Sequence, residues 1–207
     1  MTAAQAPVVA TARHRVAVDG QGITTLVCFH GCPLRCKWCL NPFTWDSKTP
    51  YQLMTPEQLY EKVRQDDLYF RATGGGVTFG GGEPLLQSAF IRQFRELCGD
   101  GWHLCAETSL YVNWESVEMA AQCVDMFYVD CKDTNPEIYR SYTGQDNGLM
   151  LDNLKRLLSL VGPERIIVRL PLIPEYNTEQ DRQNSQNLLV DMGITQFDLF
   201  TYQVRNS

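Results

Sequence analysis

The sequence predicts an α/β fold, specifically an open, partial (β/α)6 barrel. Apolar runs rich in β-branched residues alternate with helix-length periodic segments along the chain. That alternation implies parallel strands joined by right-handed crossovers. Six strands do not close an eight-fold barrel, which typically takes about 250 residues, and this chain has 207. At 44% hydrophobic it is long enough to bury one ordinary core. A single domain over 1–207 is therefore expected, with Met1–Arg15 as a flexible lead-in and no ferredoxin-like insertion.

The first expected strand is Ile23–Phe29, where β-branched and apolar residues dominate. A helix is expected at Thr55–Gln65, because Thr55 is a good cap and Pro56 suits the first helical position. Val77–Phe79 is a short strand between glycine triplets, followed by a helix at Leu86–Cys98. The pattern repeats with strand His103–Glu107 and helix Trp114–Ala121, then strand Met126–Asp130 and helix Leu151–Leu160. Strand Ile166–Pro171, helix Glu179–Met192 and strand Phe197–Phe200 complete it. In such a barrel the active site belongs at the C-terminal ends of the strands. A missing stretch of wall would admit a macromolecular substrate from the side.

Two segments carry the chemistry. Gly31-Cys-Pro-Leu-Arg-Cys-Lys-Trp-Cys39 follows the first strand and spaces three thiols as C-x3-C-x2-C. Three thiolates can hold three irons of a cubane cluster and leave the fourth iron open. An open position separates a catalytic metal site from a closed structural one. A zinc site is the bland alternative, with Cys28 or His30 as fourth ligand, but Cys28 belongs to the strand and the other three to the loop. The second segment, Gly74 to Pro84, places six glycines around Val77-Thr-Phe79, with Glu83 and Pro84 following. Glycine lets backbone approach a ligand closely, and no Gly-Lys-Ser/Thr follows to make it a phosphate loop.

Together these motifs resemble the radical S-adenosylmethionine (SAM) enzymes, and within them the activating enzymes of glycyl-radical enzymes, close to the pyruvate formate-lyase activase type. Asp19-Gly-Gln-Gly-Ile23, Asn41-Pro-Phe-Thr-Trp-Asp46 and Pro84-Leu-Leu-Gln87 add to the resemblance, which runs from about Asp19 to Tyr202. It implies a partial TIM barrel of the radical SAM type, one [4Fe-4S] cluster on Cys32, Cys36 and Cys39, and SAM chelating the open iron. It further implies SAM contacts from Trp38, Gly81, Gly82, Glu83, Glu107, Thr108, Asp130, Lys132 and Arg169. A zwitterionic amino acid needs both carboxylate and cationic partners, and these residues offer both.

The implied reaction is reductive cleavage of SAM to a 5′-deoxyadenosyl radical, which takes an α-hydrogen from a glycine of a partner glycyl-radical enzyme. Flavodoxin or ferredoxin would be the reductant, and the enzyme a monomer. The chain departs from the activase pattern at Thr24, Gly80, Ser109-Leu110 and Gln203, where Arg, Ser, a glycine-containing turn and His are usual. The rival readings are a small-molecule radical SAM enzyme such as a carboxydeazaguanine synthase, and a plain iron–sulfur electron carrier using Cys28 as fourth ligand.

Composition narrows the setting. A net charge of −6 without a dense Lys/Arg block argues against nucleic acid. The sequence lacks a signal-like N-terminus and a membrane-length apolar run, so a cytoplasmic protein is expected. Eight cysteines then point to metal chemistry rather than disulfides. Cys98, Cys105, Cys123 and Cys131 are expected to be buried packing residues.

Overall fold

In the computed structural model, which describes residues 4–202, strand β1 (Ala6–Val16) lies antiparallel to β2 (Ile23–Phe29), and β3 (Gln52–Met54) pairs with the other edge of β1. From β2 onward the sheet is parallel. β4 (Gly76–Gly81) joins β2, and β5 (His103–Thr108), β6 (Met126–Asp130), β7 (Ile166–Leu172) and β8 (Phe197–Thr201) follow in sequence order. The expected six parallel strands are present, and the antiparallel pair extends them to an eight-stranded sheet. Its edges, β3 and β8, do not pair with each other, so the curl stays open.

Crossovers are helical. α1 (Pro56–Val63) and α2 (Asp67–Thr73) precede β4, α3 (Ser88–Cys98) precedes β5, and α4 (Trp114–Ala121) precedes β6. α5 (Pro136–Thr143) and α6 (Gly148–Val161) lead to β7, and α7 (Glu179–Met192) leads to β8. Thr55 caps α1 in a capping box with Gln58, and Pro56 opens the helix as expected. α5 begins at Asn135, whose side chain accepts from the Glu137 and Ile138 amides, and stops at Gly144 in the left-handed conformation.

Four elements lie outside the sequence reading: β1, β3, α2 and α5. β1 occupies most of the stretch read as a flexible lead-in. Its first turn-in residues, Ala6 and Val8, are buried, but its later residues are charged and interrupted by irregular pairing. Arg13 and His14 both reach Asp66, whose carboxylate is fully buried and also accepts from Thr25. β3 pairs only with Ala6–Val8, so the charged half of β1 lies along an uncovered stretch of the sheet's margin; charge there is a common guard against wrong pairing, and it breaks the alternation that announces a strand.

Pleating divides the strands between two environments. Val27, Phe29, Val77, Phe79, Leu104, Ala106, Phe127, Val129 and Val168 are fully buried beneath the helices. Phe79 stacks on Phe29 at 5.7 Å and meets Phe94 of α3 edge-on at 5.6 Å. Each of these Val, Leu and Phe side chains is worth about 1.5–3 kcal/mol in burial. The alternate residues, Cys28, Gly80, Glu107, Asp130 and Arg169, face the concave side. Cys28 pairs with Gly80, and Asp130 with Arg169. The same periodicity that builds the core thus gathers charge inside the barrel mouth.

Candidate functional site

The cysteine loop leaves the C-terminal end of β2 and is held from two sides. The Gly82 amide donates to the Phe29 carbonyl at 3.0 Å, and the Glu83 amide to Gly31 at 2.8 Å. Gly81 has φ +85°, and a Cβ there would come within 2.7 Å of the Cys28 Cβ. At Gly82 any Cβ would overlap the Gly31 carbonyl. Only glycine permits this close stitching of the two loops. On the other side the loop rests on the end of α5, where the Arg35 amide donates to Thr143 at 2.9 Å and the Lys37 amide to Tyr142 at 3.1 Å. The Arg35 guanidinium ties the loop to itself through the Cys32 and Leu34 carbonyls and lies over the Trp45 ring.

Cys32, Cys36 and Cys39 are half-buried, whereas the other five cysteines are buried and unpaired. Burial pushes Cys32 up to about 12, helped by Glu83, and Cys36 up to about 11 against the pull of Lys132. Such thiols become thiolates when a metal supplies the charge. Among the described residues, no three His, Cys, Asp or Glu side chains gather as tightly as one metal ion needs.

One observation tests the fit. Among the described residues, the buried side-chain polar atoms without a partner are Trp38 Nε1, Trp45 Nε1, Tyr139 Oη and Tyr142 Oη. All four lie in the cysteine loop, in the turn that follows it, or in the helix that backs it. An unmet buried donor costs about 1–3 kcal/mol, and native proteins keep few of them. Their concentration here marks the region as shaped around acceptors that the chain does not provide, and the sulfurs of an iron–sulfur cluster are such acceptors.

Beside the loop, Glu83 is 2% exposed and its carboxylate is filled. Thr108 Oγ1 and the Leu85 amide donate to Oε1 at 2.6 and 3.2 Å, while the Ser109 amide and hydroxyl donate to Oε2 at 2.8 and 2.6 Å. Burial pushes the Glu83 carboxyl up, against the pull of these donors. Glu83 and Thr108 thus lock the glycine turn onto the end of β5. The turn after Thr108 survives without glycine: Leu110 takes φ +55°, held by its amide donating to Thr108 Oγ1 and its carbonyl accepting from Asn153. A left-handed non-glycine residue of this kind is strained by about 1–2 kcal/mol.

The remaining charges form one hub. Arg169 donates to Glu107 Oε1 at 2.7 Å and to Asp130 Oδ1 at 2.6 Å. Lys132, 6% exposed, reaches Asp130 Oδ2 and the Tyr202 hydroxyl, both at 3.0 Å. Burial opposes the Asp130 carboxylate, but Arg169 and Lys132 outweigh it and hold it down at about 2. Asp130 and Glu107 in turn raise Arg169 despite its burial.

The structure brings the sequence-derived residues together at the C-terminal strand ends: the three cysteines and Trp38 on the first loop, Gly81, Gly82 and Glu83 on the second, and Glu107, Thr108, Asp130, Lys132 and Arg169 on the next strands. Ser109, Tyr202, Tyr139 and Tyr142 join them unforeseen. For the two α5 tyrosines a signal existed, since Asn135-Pro136 and Gly144 bracket a helix. Gln203 lies outside the described residues.

Comparison with known proteins agrees with this architecture. The profile of the radical SAM superfamily matches residues 26–186. The (2S)-3-sulfopropanediol dehydratase activating enzyme of Klebsiella oxytoca is 30% identical, over 78% of this chain and 69% of the relative. The pyruvate formate-lyase-activating enzyme of Staphylococcus aureus is 32% identical, over 79% of this chain and 67% of the relative. Among solved structures, Streptococcus suis SuiB bound to S-adenosylmethionine superposes with a TM-score of 0.65 at 14% identity; 84% of this chain matches 39% of that one. At that identity the likeness speaks for the fold alone. Profile, relatives and site geometry agree: this chain belongs to the radical SAM superfamily, alongside the activating enzymes that are its relatives.

Proposed function

We propose that this protein activates a glycyl-radical enzyme by abstracting a glycine α-hydrogen from it, with SAM as the radical source. Its cofactors are a [4Fe-4S] cluster and SAM, as in the superfamily at large. Together, when bound and reduced, they supply a 5′-deoxyadenosyl radical, and the protein supplies orientation and exclusion of side reactions. In this reading Cys32, Cys36 and Cys39 hold the cluster, and Trp38, Gly81 and Gly82 shape the adjoining wall. Lys132 and Arg169 offer cations to the SAM carboxylate, while Glu107 and Asp130 offer anions to its amino group. Glu83 and Thr108, already saturated by each other and by Ser109, hold the wall in place and reach SAM through backbone.

The observation that carries this reading is the set of four unpartnered buried donors around the cysteine loop. The relatives named as activating enzymes, each at 30% identity or more over two thirds of its length, supply the reaction class. Flavodoxin or ferredoxin as electron donor, a monomeric state and a cytoplasmic setting complete the proposal. No helix among the described residues is long and apolar enough to cross a membrane.

The deciding experiment combines reduced, reconstituted enzyme and SAM with a candidate glycyl-radical enzyme. A carbon-centred radical signal should arise on the partner, split by its remaining α-hydrogen, with 5′-deoxyadenosine formed in equal amount. Partner-independent turnover of a carboxylated pterin to a deazaguanine would instead establish the small-molecule reading. A cluster that neither binds nor cleaves SAM would establish the electron carrier.

A further inference from the structure

Tyr139 is fully buried in α5, yet its hydroxyl has no hydrogen-bond partner. Of the four such donors, the two indoles belong to the cysteine loop and its following turn, so they move with it. Tyr142 faces Tyr202, with ring centroids 6.4 Å apart, and has a second hydroxyl at hand. Ionisable groups near the Tyr139 hydroxyl include the thiols of Cys131 and Cys36, the Lys132 ammonium and the Tyr111 hydroxyl. Lys132 has no lone pair to offer and is already engaged with Asp130 and Tyr202, and the Tyr111 hydroxyl, which donates to Gln145 at 3.2 Å, makes no hydrogen bond with Tyr139. Cys131 is buried and remains a neutral thiol, a weak acceptor. Cys36 differs, because a sulfur bound to iron is a thiolate and accepts strongly.

The backbone holds this pair in register. The amide of Lys37, next to Cys36, donates to the Tyr142 carbonyl one helical turn from Tyr139, and the Arg35 amide, on the other side, donates to Thr143. Both neighbours of Cys36 are therefore pinned to the helix that carries the unmet hydroxyl.

We propose that Tyr139 Oη donates a hydrogen bond to Cys36 Sγ once that sulfur is bound to iron, and that this bond raises the reduction potential of the cluster. A donor to a ligating thiolate draws negative charge from it and so favours the reduced, more negative cluster; hydrogen bonds to sulfur are among the levers that set such potentials. The inference rests on the proposed ligation by Cys36 but on neither SAM nor the protein partner.

The test is an EPR-monitored redox titration of reconstituted holoenzyme without SAM, comparing wild type with Tyr139→Phe. The expected result is full iron content and a midpoint lowered by about 59 mV, a tenfold change in the one-electron reduction equilibrium. Pulsed EPR should show an exchangeable proton coupled to the wild-type cluster, exchanged in D2O and missing from the variant. Full iron with an unmoved midpoint overturns the inference. Should Tyr139→Phe fail to hold a cluster, 3-fluorotyrosine at position 139 keeps the shape and strengthens the donor; the midpoint must then rise, and no rise overturns the inference. Retention of full iron by Cys36→Ala would defeat the ligation itself, a different failure from an unmoved midpoint.

Discussion

Two polar regions meet at the mouth of this barrel, and they are finished to different degrees. In the hub formed by Glu107, Asp130, Lys132 and Arg169, each charge has an opposite within 3.0 Å, and Tyr202 closes it. Around Cys32, Cys36 and Cys39, four buried donors make no hydrogen bond, and burial holds the Cys32 and Cys36 thiols protonated. The hub is assembled by the chain alone and holds its geometry before any ligand arrives. The loop is complete only when an electron-rich group fills it. The difference teaches which residues need a bound group to be complete and which are complete without one: substitutions in the loop should empty the site, and substitutions in the hub should loosen the fold as well as weaken SAM binding.

The largest expected effect is in the loop. Cys36→Ala should lose the cluster on anaerobic reconstitution, with iron content and visible absorbance falling to background, while Cys28→Ala should retain full iron. Cys28 is a buried strand residue whose Cβ packs against Gly81. Equal loss from both variants would make Cys28 a fourth ligand and erase the contrast between strand and loop.

In the hub the matching test is Arg169→Leu. It leaves the Glu107 and Asp130 carboxylates facing each other without their shared cation. Removing one partner of a buried ion pair typically costs about 3–5 kcal/mol, which urea unfolding of the variant should show. A loss below about 1 kcal/mol, the range of solvated surface pairs, would mean that the hub is no frame.

Much of this was legible in the chain. The Ile23–Phe29, Met126–Asp130, Trp114–Ala121 and Glu179–Met192 elements have the bounds read from the sequence. α5, no shorter than α4, escaped although its cap and stop residues, Asn135 and Gly144, were readable. β1 escaped because Arg13, His14 and Arg15 are paired with distant or turn residues, Asp66 and Asp19, and only the fold shows those charges to be satisfied. In the site, spacing located the cysteines and glycine turn, and the resemblance located the charged strand ends. What spacing could not show is that Glu83 is saturated by Thr108 and Ser109, or that Tyr139 is saturated by nothing. Hydrogen-bond completeness is a property of three dimensions.

Lys132 separates frame from ligand more finely. Its ammonium shares Asp130 with Arg169, so Lys132→Ala leaves that carboxylate one cation, and the stability loss should be smaller than for Arg169→Leu. SAM binding should weaken by about 1.5–3 kcal/mol, the worth of a hydrogen bond to a charged group. Calorimetric titration of holoenzyme gives the affinity and urea unfolding the stability. Full SAM affinity with a fold loss equal to that of Arg169→Leu would assign Lys132 wholly to the frame.

The smallest effect is in the acid limb of stability. An unperturbed aspartate titrates near 3.9, and Arg169 and Lys132 hold Asp130 down at about 2. A carboxyl lowered by folding stabilises the native state above its ordinary value, and that contribution fades as pH falls from about 4 through about 2. The amount is roughly 2–3 kcal/mol, from just under two pH units of displacement. Glu83 acts with the opposite sign, since burial raises it. Its ionisation costs stability as pH climbs past the ordinary glutamate range, so acidification first relieves the fold before Asp130 begins to weaken it. Urea unfolding of the iron-free protein should therefore give a shallow maximum on the mildly acid side and a decline below about pH 4. Asp130→Asn should lower stability at neutral pH and flatten that decline, because the titrating group is gone. An acid limb equally steep in Asp130→Asn would place its proton uptake elsewhere and remove the hub from the pH dependence.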